Sequence, residues 1–265
     1  MADRRNAPIG ASQPPRLSVM FVGRRSLAAQ RRGRYVAGSA AHPARMAPDL
    51  ATALIEDYTR PGDLVLDPLA GTGTTLVEAV HAGRNALGVE IGPGWVALVR
   101  SNLAHARGHG VAGHGRVIRG DATRLPAGIP IELRGQVNLV LTAPPLAPTM
   151  PVQRAGRGRV PFVDGMAAAL AGCVPLLAPG GVIVVVSRPW RHEHHLVDQP
   201  GLVVAAAVAA GLELIDSRRA VHARIRDDRF VARHASSAVT GDRRATPVGW
   251  LQHDDIAILM SRDVS

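Results

Sequence analysis

Apolar positions along the chain switch repeatedly between helical and strand spacing. Over residues 49–60, Leu50, Leu54, Ile55 and Tyr58 recur at helical intervals, and Pro61-Gly62 closes the segment. "DLVLDPLAG" then reads as a short buried strand running into a glycine turn, and "TTLVEAVHAG" as a helix stopped by Gly83. The alternation continues. "NALGVEI" is a strand, "PGWVALVRSNLAHARGHG" a helix with Pro93 at its start, and "GRVIRGDA" and "QVNLVLTAPP" are two further strands. "VDGMAAALAGCVPLL" is a helix, Pro179-Gly180-Gly181 a turn, "GGVIVVVSRPW" a strand and "GLVVAAAVAAG" a helix. "LELIDSRRAVHARI" and "DDIAILMSR" close the pattern as strands with no helix between them.

Strands that are apolar throughout, separated by helices, predict a parallel sheet covered on both faces. The expected fold is therefore α/β, a doubly wound, mostly parallel seven-stranded sheet with an antiparallel hairpin at one edge. Residues 1–17 lack any apolar period and read as a disordered tail. Residues 18–48 form a basic N-terminal arm that includes a His-Pro segment, and 49–265 form the α/β domain. No apolar stretch reaches the ~18 residues needed to span a bilayer, so no membrane association is expected and the cytoplasm is the default location. The acid-poor first forty residues would suit an organellar transit peptide as well as a basic arm.

Charge adds one partner class. Formal net charge is +10, with arginines concentrated at 24–34, 154–159 and 218–244, which favours polyanions. Every basic residue other than histidine is Arg, a composition that GC-rich coding produces unaided, so the total weighs less than the clustering. Arg154, Arg157 and Arg159 lie just after the fourth strand, placed for phosphate contact or for a plain surface loop.

In an open parallel sheet, ligands bind beyond the carboxyl ends of the strands. The first strand ends on Asp67, followed by Pro68, Gly71, Gly73 and Thr74. Glu90 ends the second strand 23 residues after Asp67, placed to bond a ribose diol. Asp121 ends the third and can accept from an adenine amino group. A dinucleotide fingerprint fails because Leu76 replaces its third glycine, and a P-loop fails for want of Gly-Lys-Ser/Thr. An acid ahead of the turn suits a cationic ligand better than a pyrophosphate. Glu56, Asp57, Asp63 and Glu78 read as solvated or capping acids.

"DPLAGTGTTLVEA", "GRNALGVEI" and "GDATRLP" resemble the first three motifs of S-adenosylmethionine-dependent amino-methyltransferases, nearest the bacterial DNA adenine-N6 and cytosine-N4 group. "HPARMAPDLATALIEDYTRPGD" and "QRRGRYV" resemble upstream segments of the same family. The resemblance covers roughly residues 30–262. It implies a Rossmann-like methyltransferase fold with S-adenosyl-L-methionine as cofactor and no metal. It also implies a nucleic-acid substrate, DNA rather than RNA. By resemblance, His42 and Pro43 close over the methionine end, which Asp67, Pro68, Gly71, Gly73 and Thr74 line. Glu90 holds the ribose and Asp121 the adenine, and Ile91, Ala122 and Thr142 also line the cofactor.

The family's catalytic tetrapeptide is Asp, Asn or Ser, then Pro-Pro, then an aromatic residue. Here it reads Ala143-Pro144-Pro145-Leu146. The prolines are kept, but the side-chain acceptor for the amine and the stacking ring, worth about 1–3 kcal/mol, are replaced. Thr142 is a candidate substitute acceptor, facing the other side of the strand. Three readings stay open: a methyltransferase on an exocyclic base amine, a weak or inactive homologue that binds cofactor or nucleic acid, and an RNA guanine-N2 methyltransferase. Cytosine-C5 chemistry needs a Pro-Cys thiolate. Cys173, the single cysteine, sits in an apolar helical run and reads as core. The histidines of "RPWRHEHH" have no metal-ligand spacing and read as a solvated loop. Trp190 in that stretch could flank a base or cap the core, and Trp95 could pack its helix or touch an adenine.

Overall fold

The computed structural model describes residues 16–22, 25–39, 46–145, 161–192, 195–226, 229–232 and 253–261. In chain order these form β1 (Val19–Phe21), α1 (Leu27–Arg31), α2 (Pro48–Tyr58), β2 (Leu64–Asp67), α3 (Thr74–His81), β3 (Asn85–Glu90), α4 (Pro93–Gly108), β4 (Gly115–Arg119) and β5 (Val137–Thr142). There follow α5 (Pro161–Cys173), β6 (Leu177–Ser187), β7 (Trp190–His192), β8 (His195–Val197), α6 (Gln199–Ala209), β9 (Leu212–Val221), β10 (Ala223–Arg226), β11 (Arg229–Ala232) and β12 (His253–Ser261).

One sheet carries the fold, in the order β1-β9-β12-β6-β5-β2-β3-β4. β12 runs antiparallel to both its neighbours, β6 and β9, and the other pairings in this sheet are parallel. Winding turns outward in both directions from the β2–β5 pair, which makes the carboxyl ends of those two strands the switch point where a ligand fits. Side chains alternate across the sheet as the strand period requires. Val65, Leu139, Leu141, Val184 and Ile258 join the cluster of α2, α3 and α4 on one face. Leu66, Val140, Ile183, Val185 and Leu259 join α5 and α6 on the other. Cys173 is fully buried there, its thiol pushed up to about 12 by burial, as a core residue should be.

The doubly wound, mostly parallel sheet and its antiparallel pair are as expected, with an eighth strand added. The seven-strand expectation missed β1, three residues of the arm that pair in parallel with β9 outside the antiparallel pair. A three-residue strand has too few positions to declare a period. Pro179-Gly180-Gly181 is accommodated as a bulge in β6: Val137 pairs with Leu177 and Leu139 with Val182. Two small hairpins, β7–β8 and β10–β11, were not foreseen. The first corrects the reading of "RPWRHEHH" as a loop, since Trp190 pairs with Val197 across it.

Candidate functional site

Asp67, Glu90 and Asp121 lie at or just past the ends of three adjacent strands, β2, β3 and β4. Their environments differ. Asp67 is 4% exposed and accepts hydrogen bonds from the Leu69 amide at 3.0 Å and the Thr142 hydroxyl at 2.8 Å. Burial raises its pKa to about 6, although those donors and Thr75 oppose the rise. No cationic side chain pairs with it among the described residues. Glu90, also buried, accepts from the Gly71 amide at 2.8 Å and the Gly92 amide at 2.7 Å. It thereby ties the first glycine turn to the start of α4. Asp121 is exposed, and one of its oxygens caps the following turn through the Thr123 amide and hydroxyl. Its second oxygen accepts no hydrogen bond among the described residues.

Glycine is required at two points of this arrangement. Gly73 caps α3 with φ +80°, and a Cβ there would lie 3.0 Å from Val99. At Gly92 a Cβ would come within 2.8 Å of the Trp95 ring and 3.1 Å of the Glu90 carboxylate. Trp95 is thus a half-buried ring at the edge of the Glu90 site rather than only a packing residue of α4. Ile91, beside it, is 61% exposed, and Ala122 is buried. Pro68 is buried beneath the turn.

The segment Gln30–Val36 holds this turn from behind. Gln30 Oε1 accepts from the Asp49 amide at 3.0 Å and so caps α2. Arg31 donates to Thr74 at 2.9 Å, in the first turn of α3. Arg34 at 2.5 Å and Tyr35 at 2.6 Å both donate to Glu78, with Thr52 completing the shell at 3.0 Å. The Val36 amide and Ser39 hydroxyl donate to Asn102, whose amide nitrogen donates to the Thr72 carbonyl within the turn. Glu78 was read as a solvated or capping acid. It is 1% exposed and is the anchor of the segment, with burial pushing its carboxyl up despite three donors.

β5 ends beside β2. Thr142 is fully buried and its hydroxyl reaches Asp67, so it lies under the acid rather than open to a substrate. Ala143, Pro144 and Pro145 follow outside the strand, and the Pro145 carbonyl accepts from Gln199 Nε2 at 3.1 Å. Sequence reasoning missed Gln199. It opens α6, 54 residues from Pro145, and no local spacing signals that contact. His42, Pro43, Leu146, Arg154, Arg157 and Arg159 lie outside the described residues.

Several described members of the other arginine clusters are engaged in ion pairs, the buried Arg218 and the exposed Arg25 and Arg219 among them. Arg25 pairs with Asp49, Arg218 with Asp57 and Arg219 with Asp255. Asp57 is therefore an ion-pair partner, while Asp63 caps the turn before β2 through the Arg60 amide. Among the described residues no group of three or more His, Cys, Asp or Glu is arranged to hold a metal, and no helix is long and apolar enough to cross a membrane.

Residues 23–101 match the model of the N6/N4 methyltransferase family, described as DNA methylase. The chain is N6/N4 DNA amino-methyltransferase-like. The likeness is partial. The Type II methyltransferase M.MthZI of Methanothermobacter thermautotrophicus is 46% identical over 55 residues, 21% of this methyltransferase-like chain and 16% of that protein. A tRNA (guanine(10)-N2)-dimethyltransferase of the same species is 34% identical over 105 residues, 39% of this chain and 28% of that one. The matches thus span under a third of the first curated relatives. Among solved structures, TrmN from Thermus thermophilus is similar with a TM-score of 0.56 at 22% identity, over 88% of this chain and 53% of that one. This last likeness concerns the fold.

Proposed function

We propose that the chain binds S-adenosylmethionine at the carboxyl ends of β2, β3 and β4 and methylates an exocyclic amine of a nucleic-acid base, DNA before RNA. The observation that carries this reading is the Thr142–Asp67 hydrogen bond at 2.8 Å. It joins the strand that ends in Pro-Pro to the strand that ends in the glycine turn, so an amine at Pro144 would lie next to whatever Asp67 holds.

The residues fit such a cofactor. Asp67 is a buried carboxylate whose pKa near 6 marks an uncompensated charge, and a cation would compensate it. Glu90 is set one strand over for a ribose diol, with the Trp95 ring and exposed Ile91 beside it for a flat base. Asp121 keeps one oxygen for an amino group. When bound, S-adenosylmethionine supplies an electrophilic methyl on a sulfonium sulfur. The protein's part is alignment: the rigid prolines fix the wall against which the base lies, and a carbonyl ahead of Pro145 accepts from the amine. Transfer of that methyl would leave S-adenosylhomocysteine in the site and would release the amine's proton from nitrogen to solvent.

Support for DNA comes from the family match and the Type II relative, and the tRNA guanine-N2 relative keeps RNA as the second substrate. Ala143, with no side-chain acceptor, favours a second reading, a module that binds cofactor without turnover. Calorimetry with S-adenosylmethionine and tritiated-methyl transfer to DNA and RNA separate the two. Binding with transfer is expected. Binding without transfer to either would favour the module, and no binding at millimolar cofactor would overturn both.

A further inference from the structure

Ala143 leaves the proposed amine site without the polar side chain that the reaction asks for. Gln199 reaches the same Pro-Pro segment from another element. It opens α6, is 1% exposed, and its Nε2 donates to the Pro145 carbonyl at 3.1 Å. A carbonyl oxygen only accepts, so the amide nitrogen faces Pro145 and the orientation of the carboxamide is fixed. The other end of the same planar group, Oε1, is buried and has no hydrogen-bond partner among the described residues. A buried carbonyl left without a donor costs about 1–3 kcal/mol. An amine arriving at the Pro-Pro wall is a donor that would recover that cost.

We infer that Gln199 is the amine acceptor of this site, in place of the side chain missing at 143. The inference rests on the proposed amine-methylating reading. One N–H of the base goes to the backbone carbonyl ahead of Pro145 and the other to Gln199 Oε1. The nitrogen lone pair is then left out of the base plane, toward the Asp67 side. The carboxamide has two functions: Nε2 braces the Pro145 carbonyl, and Oε1 selects substrate. A buried acceptor admits adenine, cytosine or guanine through an amino group and rejects uracil or thymine, whose carbonyl at that position would meet it oxygen to oxygen.

The test uses the full chain loaded with S-adenosylhomocysteine, titrated by ligand-observed NMR with adenosine, cytidine, guanosine and uridine. Wild type is expected to prefer an amine-bearing nucleoside over uridine. Gln199→Leu should weaken that nucleoside about tenfold, the value of one lost hydrogen bond, with S-adenosylhomocysteine affinity unchanged. Ala143→Asn added to Gln199→Leu should restore most of the loss, because it returns an acceptor at the family's position. Gln199→Met, which keeps the chain length, carries the same expectation should the leucine variant fold poorly. Equal nucleoside affinity in wild type and variant would overturn the role of Gln199 and leave the amine site standing. So would a loss that extends equally to S-adenosylhomocysteine and that Ala143→Asn does not relieve. A wild type with no preference over uridine would overturn the amine site itself, and the role of Gln199 with it.

Discussion

The two sides of the switch point are built differently. On the β2–β4 side, polar groups are held in overlapping sets of bonds. Asp67 and Glu90 each accept from two donors at 2.7–3.0 Å, and Glu78, Asn102 and Gln30 lock the glycine turn from behind through the 30–39 segment. On the β5 side the chain ends its strand in Ala-Pro-Pro, held at Pro145, among the described residues, by one side-chain bond from Gln199. A binding surface must keep its shape with and without ligand, and many mutual bonds do that. A wall that only has to stop a strand and present carbonyls gets its stiffness from proline rings. The difference teaches where substitutions should register: on the first side in stability and cofactor affinity together, on the second in substrate handling with the fold intact.

The sharpest break of that comparison is Glu78→Ala. It leaves the Tyr35 hydroxyl and the Arg34 guanidinium without their buried acceptor. Removing one member of a buried pair costs about 3–5 kcal/mol, and Arg34, a third exposed, puts this case near the lower end. Urea unfolding should show a loss of about 3 kcal/mol, and cofactor affinity should fall with it because Thr74 and Thr72 lose their brace. A loss under about 1 kcal/mol would mean that the segment merely lies on α3. Gln199→Leu, across the switch point, should leave the unfolding midpoint nearly where it was.

Asp67 sharpens the same contrast through pH. Its folded pKa of about 6 lies above the ordinary value near 3.9. Folding therefore favours the protonated form. The stability this group contributes is fully present below about pH 4 and is lost as pH rises through 6. A bound cation reverses the preference, because it favours the ionised carboxylate. S-adenosylmethionine affinity should accordingly be level above pH 6 and fall by up to about tenfold per pH unit below it. Asp67→Asn should flatten that dependence. An affinity independent of pH between 4 and 7 would separate Asp67 from the cofactor's charge. Nucleoside selectivity at Gln199, an amide with no proton to lose, should not follow this curve.

These contrasts were unequally legible in the sequence. Asp67, Glu90 and Asp121 could be read because each follows an apolar strand run, and the strand ends of one sheet share one rim. The covering helices could be read from their periods. Glu78 could not. Its partners lie 43 and 44 residues upstream, on an arginine-rich segment that composition alone assigned to a polyanion. β1 was too short to announce itself, and the Trp190 hairpin carries charged residues where a strand would show apolar alternation. Gln199 was invisible for the same reason as Glu78: its meaning depends on a carbonyl far away in sequence. What the chain's local pattern encodes is the rim of the sheet. What ties the rim together is tertiary, and charge counts do not say which way a side chain turns: Arg34, in the basic arm, turns to Glu78.

That last point has the smallest expected effect and a clean test. Arg25 pairs with Asp49 at 2.7 Å, but its side chain is 60% exposed. Exposed pairs contribute about 0–1 kcal/mol, because water screens the charges and two long side chains must be ordered. Arg25→Ala should therefore shift unfolding by under about 0.5 kcal/mol, against about 3 kcal/mol for Glu78, the buried acid of the same brace. If nucleic acid is the partner, the two substitutions should also part in a second measurement. Arg25 still presents charge to solvent, so its removal should lower DNA affinity slightly and reduce the salt slope by about one. Arg34→Met, whose charge is already engaged by Glu78, should leave the salt slope unchanged while costing stability. Equal salt slopes for both variants and wild type would confine nucleic-acid contact to other arginines, and an equal loss of stability would mean that burial does not rank these ion pairs at all.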